Sequence, residues 1–133
     1  MARFPPLKLR TELEGLKIAV YHGSPTEPLT SYIQPRDAER LADRFLAQTD
    51  ADVIILGHTH IPYTIKRRGK LLLNPGSVGQ LRDGDSRASY TILDTDPLHA
   101  ENHRIEYNIN ATAEAIYSTG LPHSFAARLY RGT

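Results

Sequence analysis

Residues 53–62 read VIILGHTHIP, and this stretch decides how the rest of the chain is interpreted. Its first four residues form a continuous β-branched and apolar run without alternating polar positions. Such a run is typical of a strand that is covered on both faces. Gly57 then allows a sharp backbone turn, and His58 and His60 follow directly. The pattern predicts a buried strand with two imidazoles in the loop at its carboxyl end.

A similar pattern occurs earlier in the chain. Leu16 to Tyr21 reads LKIAVY and is followed by His22-Gly23-Ser24-Pro25, which predicts a second buried strand that ends in a loop. Between the two strands, the stretch from Arg36 to Gln48 places its apolar residues on one face of a helix. Strand, helix and strand in this order predict a right-handed crossover between parallel strands.

Sites in open α/β sheets form at the carboxyl ends of the strands. We therefore expect His22 to meet His58 and His60, with their side-chain nitrogens within about 8 Å of one another, roughly twice the spacing of a two-metal pair. Imidazole is the usual nitrogen ligand of zinc, manganese, iron and nickel. The remaining histidines, His99, His103 and His123, are expected to be ordinary surface or core residues.

The other predicted elements are less strongly patterned. They are a hairpin of Tyr63–Lys66 and Leu71–Leu73, two antiparallel strands Ala88–Leu93 and Arg104–Ile109 joined by a turn at Asp94–Pro97, and helices Ala111–Thr119 and Ser124–Tyr130.

Composition narrows the class of protein. The 133 residues carry 16 basic and 15 acidic side chains, and 40% are hydrophobic. This balance gives no reason to expect a nucleic-acid-binding patch or a membrane surface as partner. Residues 1–6 lack the layout of a signal peptide. Because there is no cysteine, a metal site must use histidine, carboxylate or amide ligands, and a cytoplasmic location is the simplest expectation.

Three motifs occur in one order: His22-Gly23-Ser24-Pro25, Gly57-His58-Thr59-His60, and NPGSVGQ at residues 74–80. Together they resemble the calcineurin-like metallophosphoesterases, in particular the small bacterial and archaeal phosphoesterases. The resemblance implies an α/β fold that is the C-terminal half of a two-sheet αββα sandwich. It also implies a phosphate-ester substrate, which a metal-bound hydroxide hydrolyses.

By the same resemblance, two divalent ions would be bound in the complete protein, and manganese, zinc, iron and nickel are not distinguished. His22 and His58 would bind one ion and His60 the other. Asn74 and Arg82 are candidates for contact with the substrate, although a loop-capping role for Asn74 and a solvated role for Arg82 are alternatives. No catalytic residue is assigned.

The chain departs from the family pattern in one respect. Residues 1–21 contain no Asp-x-His, Gly-Asp or Gly-Asn-His motif, and these supply the family's other ligands. We therefore expect one partial domain over residues 1–133, with its motifs at about 16–82 and further strands and helices at 83–133. As a truncated phosphoesterase, it should bind metal weakly. Two alternatives stay open: a catalytically inactive binding or scaffold module, and a mononuclear three-histidine zinc site.

The partial domain has a structural consequence. The predicted helix can cover only one face of the buried strands, and a bare apolar face promotes association. We expect a homo-oligomer or a marginally stable chain, unless the C-terminal strands fold back over the second face.

Overall fold

The computed structural model describes residues 8–133, so the interpretation of residues 1–6 lies outside the described range. Five strands form one sheet in the order β1-β2-β3-β5-β4, and two further strands, β6 and β7, form a separate hairpin. The elements in chain order are β1 (Lys8–Leu13), β2 (Leu16–Tyr21), α1 (Pro35–Gln48), β3 (Val53–Leu56), β4 (Tyr63–Arg67), β5 (Lys70–Asn74), β6 (Ala88–Thr95), β7 (Leu98–Ile105), α2 (Ile109–Ser118) and α3 (His123–Ala127).

The centre of the sheet is parallel. β2 pairs with β3 and β3 pairs with β5, all in the same direction. Tyr21 lies opposite Leu56 in this register, so the two strands end at the same level. The predicted unit of two parallel strands joined through a helix is confirmed, and the α/β fold class with it.

Helix α1 covers one face of this sheet. Pro35 occupies the first helical turn, where a missing N–H has no cost. The buried helix residues pack against Ile54 and Leu72, which are both inaccessible to solvent. Those helix residues are Ala38, Ala42, Phe45 and Leu46.

The hairpin of β6 and β7 folds back over the opposite face of the sheet. This is the arrangement that was expected to remove the need for self-association. Its Ala100 is buried in a cluster with Val53, Leu71 and Leu73, and Lys66 Nζ donates to the carbonyl of Leu98 at 3.0 Å.

The hairpin covers this face only in part. Leu9 and Leu13 lie opposite Val20 and Leu16 in the β1–β2 register and therefore on the hairpin's side of the sheet. They remain 52% and 51% exposed. Self-association through this remaining apolar surface stays a prediction.

The sequence analysis misplaced one strand and missed another. The last strand was predicted at Arg104–Ile109, whereas β7 runs from Leu98 to Ile105 after a two-residue turn at Asp96-Pro97. Most β7 side chains are polar, and of this strand only Leu98 and Ala100 belong to the apolar cluster on the sheet, so the sequence has little apolar signal there. Strand β1 was not predicted, because it is an edge strand whose residues are all exposed.

The helices near the C-terminus begin earlier than predicted. α2 starts at Ile109 because the side chain of Asn108 accepts a hydrogen bond from the Ala111 N–H and caps the helix. Within residues 8–133, no helix is long and apolar enough to cross a bilayer.

Leu71 and Leu72 offer a matched test of whether the β6–β7 hairpin packs on its face of the five-stranded sheet. The two are adjacent in β5, point to opposite faces, and are 1% and 0% exposed. We expect Leu71→Ala and Leu72→Ala each to lower the free energy of unfolding by about 2–5 kcal/mol, measured by urea denaturation. A much smaller loss for Leu71→Ala would show that the hairpin does not pack on the sheet in solution.

Candidate metal centre

The loops after β2 and β3 are joined directly. The N–H of Gly57 donates to the carbonyl of His22 at 3.1 Å. A Cβ at Gly57 would lie 3.3 Å from the same carbonyl oxygen, so a larger residue would have to push the two loops apart. As a result, the rings of His22 and His58 meet edge to face with centroids 4.4 Å apart.

The loop that carries His22 is fixed by its own hydrogen bonds. The N–H of Gly23 donates to the Pro28 carbonyl at 2.7 Å, and the N–H of Ser24 donates to the Glu27 carbonyl at 3.0 Å. The buried hydroxyl of Ser24 donates to Ser31 Oγ at 2.9 Å. A Cβ at Gly23 would come within 2.6 Å of the Glu27 oxygen, so this tight turn requires glycine.

The second loop holds two histidines in an unusual backbone conformation. His58 has φ 67° and His60 has φ 60°, in the left-handed region that side chains other than glycine rarely occupy. Each such residue costs on the order of 1–3 kcal/mol and persists only where the surroundings enforce it. Strain of this kind concentrates at functional sites.

Asn74, at the end of β5, provides that enforcement. Its Nδ2 donates to the Gly57 carbonyl and to Thr59 Oγ1, both at 2.9 Å, and its Oδ1 accepts from the Gly76 N–H at 2.9 Å. Asn74 is 1% exposed and Thr59 is fully buried. Asn74 thus caps the histidine loop, and its direct contact with a substrate stays a prediction.

Burial and nearby positive charge keep the imidazoles of His58 and His60 neutral. Burial lowers the pKa of His58, and the charges of His22 and Arg82 lower it further. Burial also lowers the pKa of His60, followed in effect by the charge of Arg82. Because an ordinary histidine has a pKa near 6.5, both rings are neutral at pH 7, which is the form that binds metals.

Of the three histidines predicted to converge, His22 and His58 meet, whereas within residues 8–133 His60 does not complete a three-residue metal-binding group with them. His60 follows two residues later, and its Nδ1 is buried without a hydrogen-bond partner. Within residues 8–133, no group of three or more His, Asp or Glu side chains is close enough together to hold a metal ion. The donor chemistry suits a divalent cation, but the ligand shell is incomplete, which disfavours the mononuclear three-histidine alternative.

Acidic side chains near the motif region have other partners. Asp50 pairs with Arg10 and Lys17, Asp43 with Arg67 and Arg68. These carboxylates balance surface charges.

Two residues border the histidines from other parts of the chain. The ring of Tyr32 meets that of His58 edge to face, with centroids 5.2 Å apart, and its hydroxyl donates to the Thr59 carbonyl at 3.2 Å. Arg82 Nη1 donates to the Tyr32 hydroxyl at 3.1 Å. The sequence leaves two roles open for Tyr32, lining a pocket or packing under the His22 loop, because it lies 26 residues before His58 in a loop without a motif. The three other histidines lie elsewhere. His103 stacks on Tyr90, the ring of His123 meets that of Tyr117 at a tilt, and His99 is exposed on β7.

We expect Asn74→Ala to destabilise the protein by at least about 2 kcal/mol, because buried hydrogen-bonding groups of the histidine loop lose their partner. Urea denaturation measures the change. Asn110→Ala is the control, since Asn110 is exposed and its side chain bonds only the Tyr130 hydroxyl among the described contacts. Equal stability of the two variants would contradict the bracing role of Asn74.

Comparisons with known proteins point to one family. The profile of the calcineurin-like phosphoesterase superfamily domain matches residues 1–97. An uncharacterized protein of Methanocaldococcus jannaschii is 34% identical, over 96% of this chain and 56% of that protein. A probable metallophosphoesterase of the same organism is 41% identical over 54% of this chain and 34% of its own length.

A solved structure supports the same assignment. The metallophosphoesterase from Sphaerobacter thermophilus is 32% identical and superposes with a TM-score of 0.80, over 96% of this chain and 58% of that one. The chain therefore spans little more than half the length of such relatives. On the profile match over residues 1–97, this chain belongs to the calcineurin-like phosphoesterase superfamily.

Proposed function

We propose that this chain supplies the C-terminal half of the active site of a divalent-metal-dependent phosphoesterase. His22 and His58 would be ligands of one metal ion, and His60 of a second. The substrate would be a phosphate ester. The contact between the His22 and His58 rings at 4.4 Å is the observation that carries the proposal.

Each residue of the site has a role in this proposal that follows from its position. The Gly57–His22 hydrogen bond fixes the distance between the two loops, and Asn74 holds the second loop in its strained conformation. The lowered pKa values of His58 and His60 keep both rings unprotonated and available at neutral pH. Bound divalent ions would supply charge neutralisation at the phosphoryl oxygens and activation of water.

The ligands that complete such a site would come from a segment that this chain lacks. The chain covers 58% of the Sphaerobacter thermophilus metallophosphoesterase, and no acidic ligand group is found among the described residues. Residues 1–133 would therefore form a partial domain, whose imidazoles suit manganese, zinc, iron and nickel alike.

The second candidate is a binding or scaffold module without catalysis. It is favoured by the same incomplete shell within residues 8–133. It gives no reason for two left-handed histidines and a buried, unpartnered His60 Nδ1, whereas a metal site does.

Metal titration tests the ligand assignment. We expect the isolated chain to bind manganese or zinc weakly, because neutral imidazoles alone leave the charge of the cation uncompensated. His58→Ala should weaken this binding by about tenfold or more, measured by isothermal titration calorimetry. His99→Ala, an exposed histidine on β7, should leave the affinity unchanged. Tight binding of two ions per chain, or equal affinity in His58→Ala, would contradict the assignment.

Hydrolysis of chromogenic phosphate monoesters and diesters with added manganese tests whether this chain supplies only part of an active site. We expect no turnover by the isolated chain, and turnover when it is mixed with the segment of the Sphaerobacter thermophilus enzyme that it does not match. That turnover should be lost with His58→Ala. Robust turnover by the isolated chain that His58→Ala abolishes would mean that other residues here replace the absent ligands.

A further inference from the structure

Arg82 is attached to the histidine loop at two points. Its backbone N–H donates to the carbonyl of His60 at 3.2 Å. Its Nη1 donates to the hydroxyl of Tyr32, which donates in turn to the carbonyl of Thr59. The guanidinium is thereby held over the Gly57-His58-Thr59-His60 loop even though Arg82 is exposed.

Acidic residues next to Arg82 in sequence do not neutralise it. Asp83 pairs with Arg104, and Asp85 with Arg87 at 2.7 Å. Within residues 8–133, Arg82 forms no ion pair, and Tyr32 is the only side chain to which its guanidinium donates. An arginine has five N–H donors, so most of them face solvent beside the histidines.

A guanidinium without an ion-pair partner is suited to binding a phosphate group. Its planar fork binds two oxygens of a phosphate group at once. A phosphate monoester has three non-bridging oxygens and two negative charges near neutral pH, so the fork can bind two oxygens while another still faces the histidines. A diester has only two non-bridging oxygens and one charge.

We propose that Arg82 binds the phosphoryl group of a phosphate monoester and that Tyr32 is its positioning residue. The inference rests on the proposed function, which it deepens by naming the substrate class. The Tyr32 hydroxyl orients the guanidinium fork of Arg82. The contact of the Tyr32 ring with His58 sets the distance from that fork to His22 and His58.

Binding of methyl phosphate and dimethyl phosphate to the metal-free chain tests the roles of Arg82 and Tyr32 directly. We expect saturable binding of methyl phosphate, followed by the NMR signals of Arg82 Nε–H and of the loop amides, and clearly weaker binding of dimethyl phosphate. Arg82→Gln should weaken methyl phosphate binding by about tenfold or more, since hydrogen bonds to charged groups are the strong ones. Arg44→Gln removes an exposed helix arginine with no ion pair among the described residues and should have no effect.

Tyr32→Phe separates positioning from packing, because it keeps the ring on His58 and removes only the hydroxyl. We expect it to weaken methyl phosphate binding several-fold while the urea midpoint stays unchanged. Arg82→Lys keeps the charge but lacks the fork, and should not restore the affinity. No saturable binding, equal losses in Arg82→Gln and Arg44→Gln, or an unaffected Tyr32→Phe would overturn the proposal.

Manganese titration of the same unmodified chain, run beside the methyl phosphate titration, distinguishes this inference from the proposed function. Metal binding without Arg82-dependent phosphate binding would overturn only the Arg82–Tyr32 assignment. Arg82-dependent phosphate binding in a chain that binds no metal would overturn the proposed function and leave an anion site.

Discussion

The parallel pairing of β2 with β3 is the constraint on which the rest of the site depends. Tyr21 opposite Leu56 brings the two strands to an end at the same level, and the next backbone groups, Gly57 N–H and the His22 carbonyl, close a hydrogen bond between the loops. A shift of register by one residue would reverse every side chain of the strand. It would also separate the two imidazoles.

This arrangement is stabilised from outside the histidine loops. Left-handed backbone at His58 and His60 is unfavourable by itself, and the buried amide of Asn74 holds the loop between them. Asn74 in turn is fixed by β5, which is buried on both faces by α1 and by the β6–β7 hairpin. The strain at the site is therefore balanced by packing in the sheet.

Sequence patterns predicted those features that depend on burial and on motifs. The strands Leu16–Tyr21 and Val53–Leu56 and the amphipathic α1 were identified because apolar periodicity records which side chains are inside. Strand β1 and most of β7 were missed because their side chains are exposed or polar, and they form strands by pairing with a neighbour. The meeting of His22 and His58 was predictable from two equivalent loops. The positions of Tyr32 and the left-handed histidines depend on tertiary contacts that no local pattern encodes.

The central claim is that the His22–His58 pair belongs to a metal site that this chain carries only in part. Anomalous X-ray diffraction from crystals soaked in manganese tests it most directly. The account predicts an anomalous peak bonded to a ring nitrogen of both His22 and His58, with its remaining coordination positions open to solvent. Manganese bound only at other histidines, such as His99 or His103, with none at the pair, would contradict it.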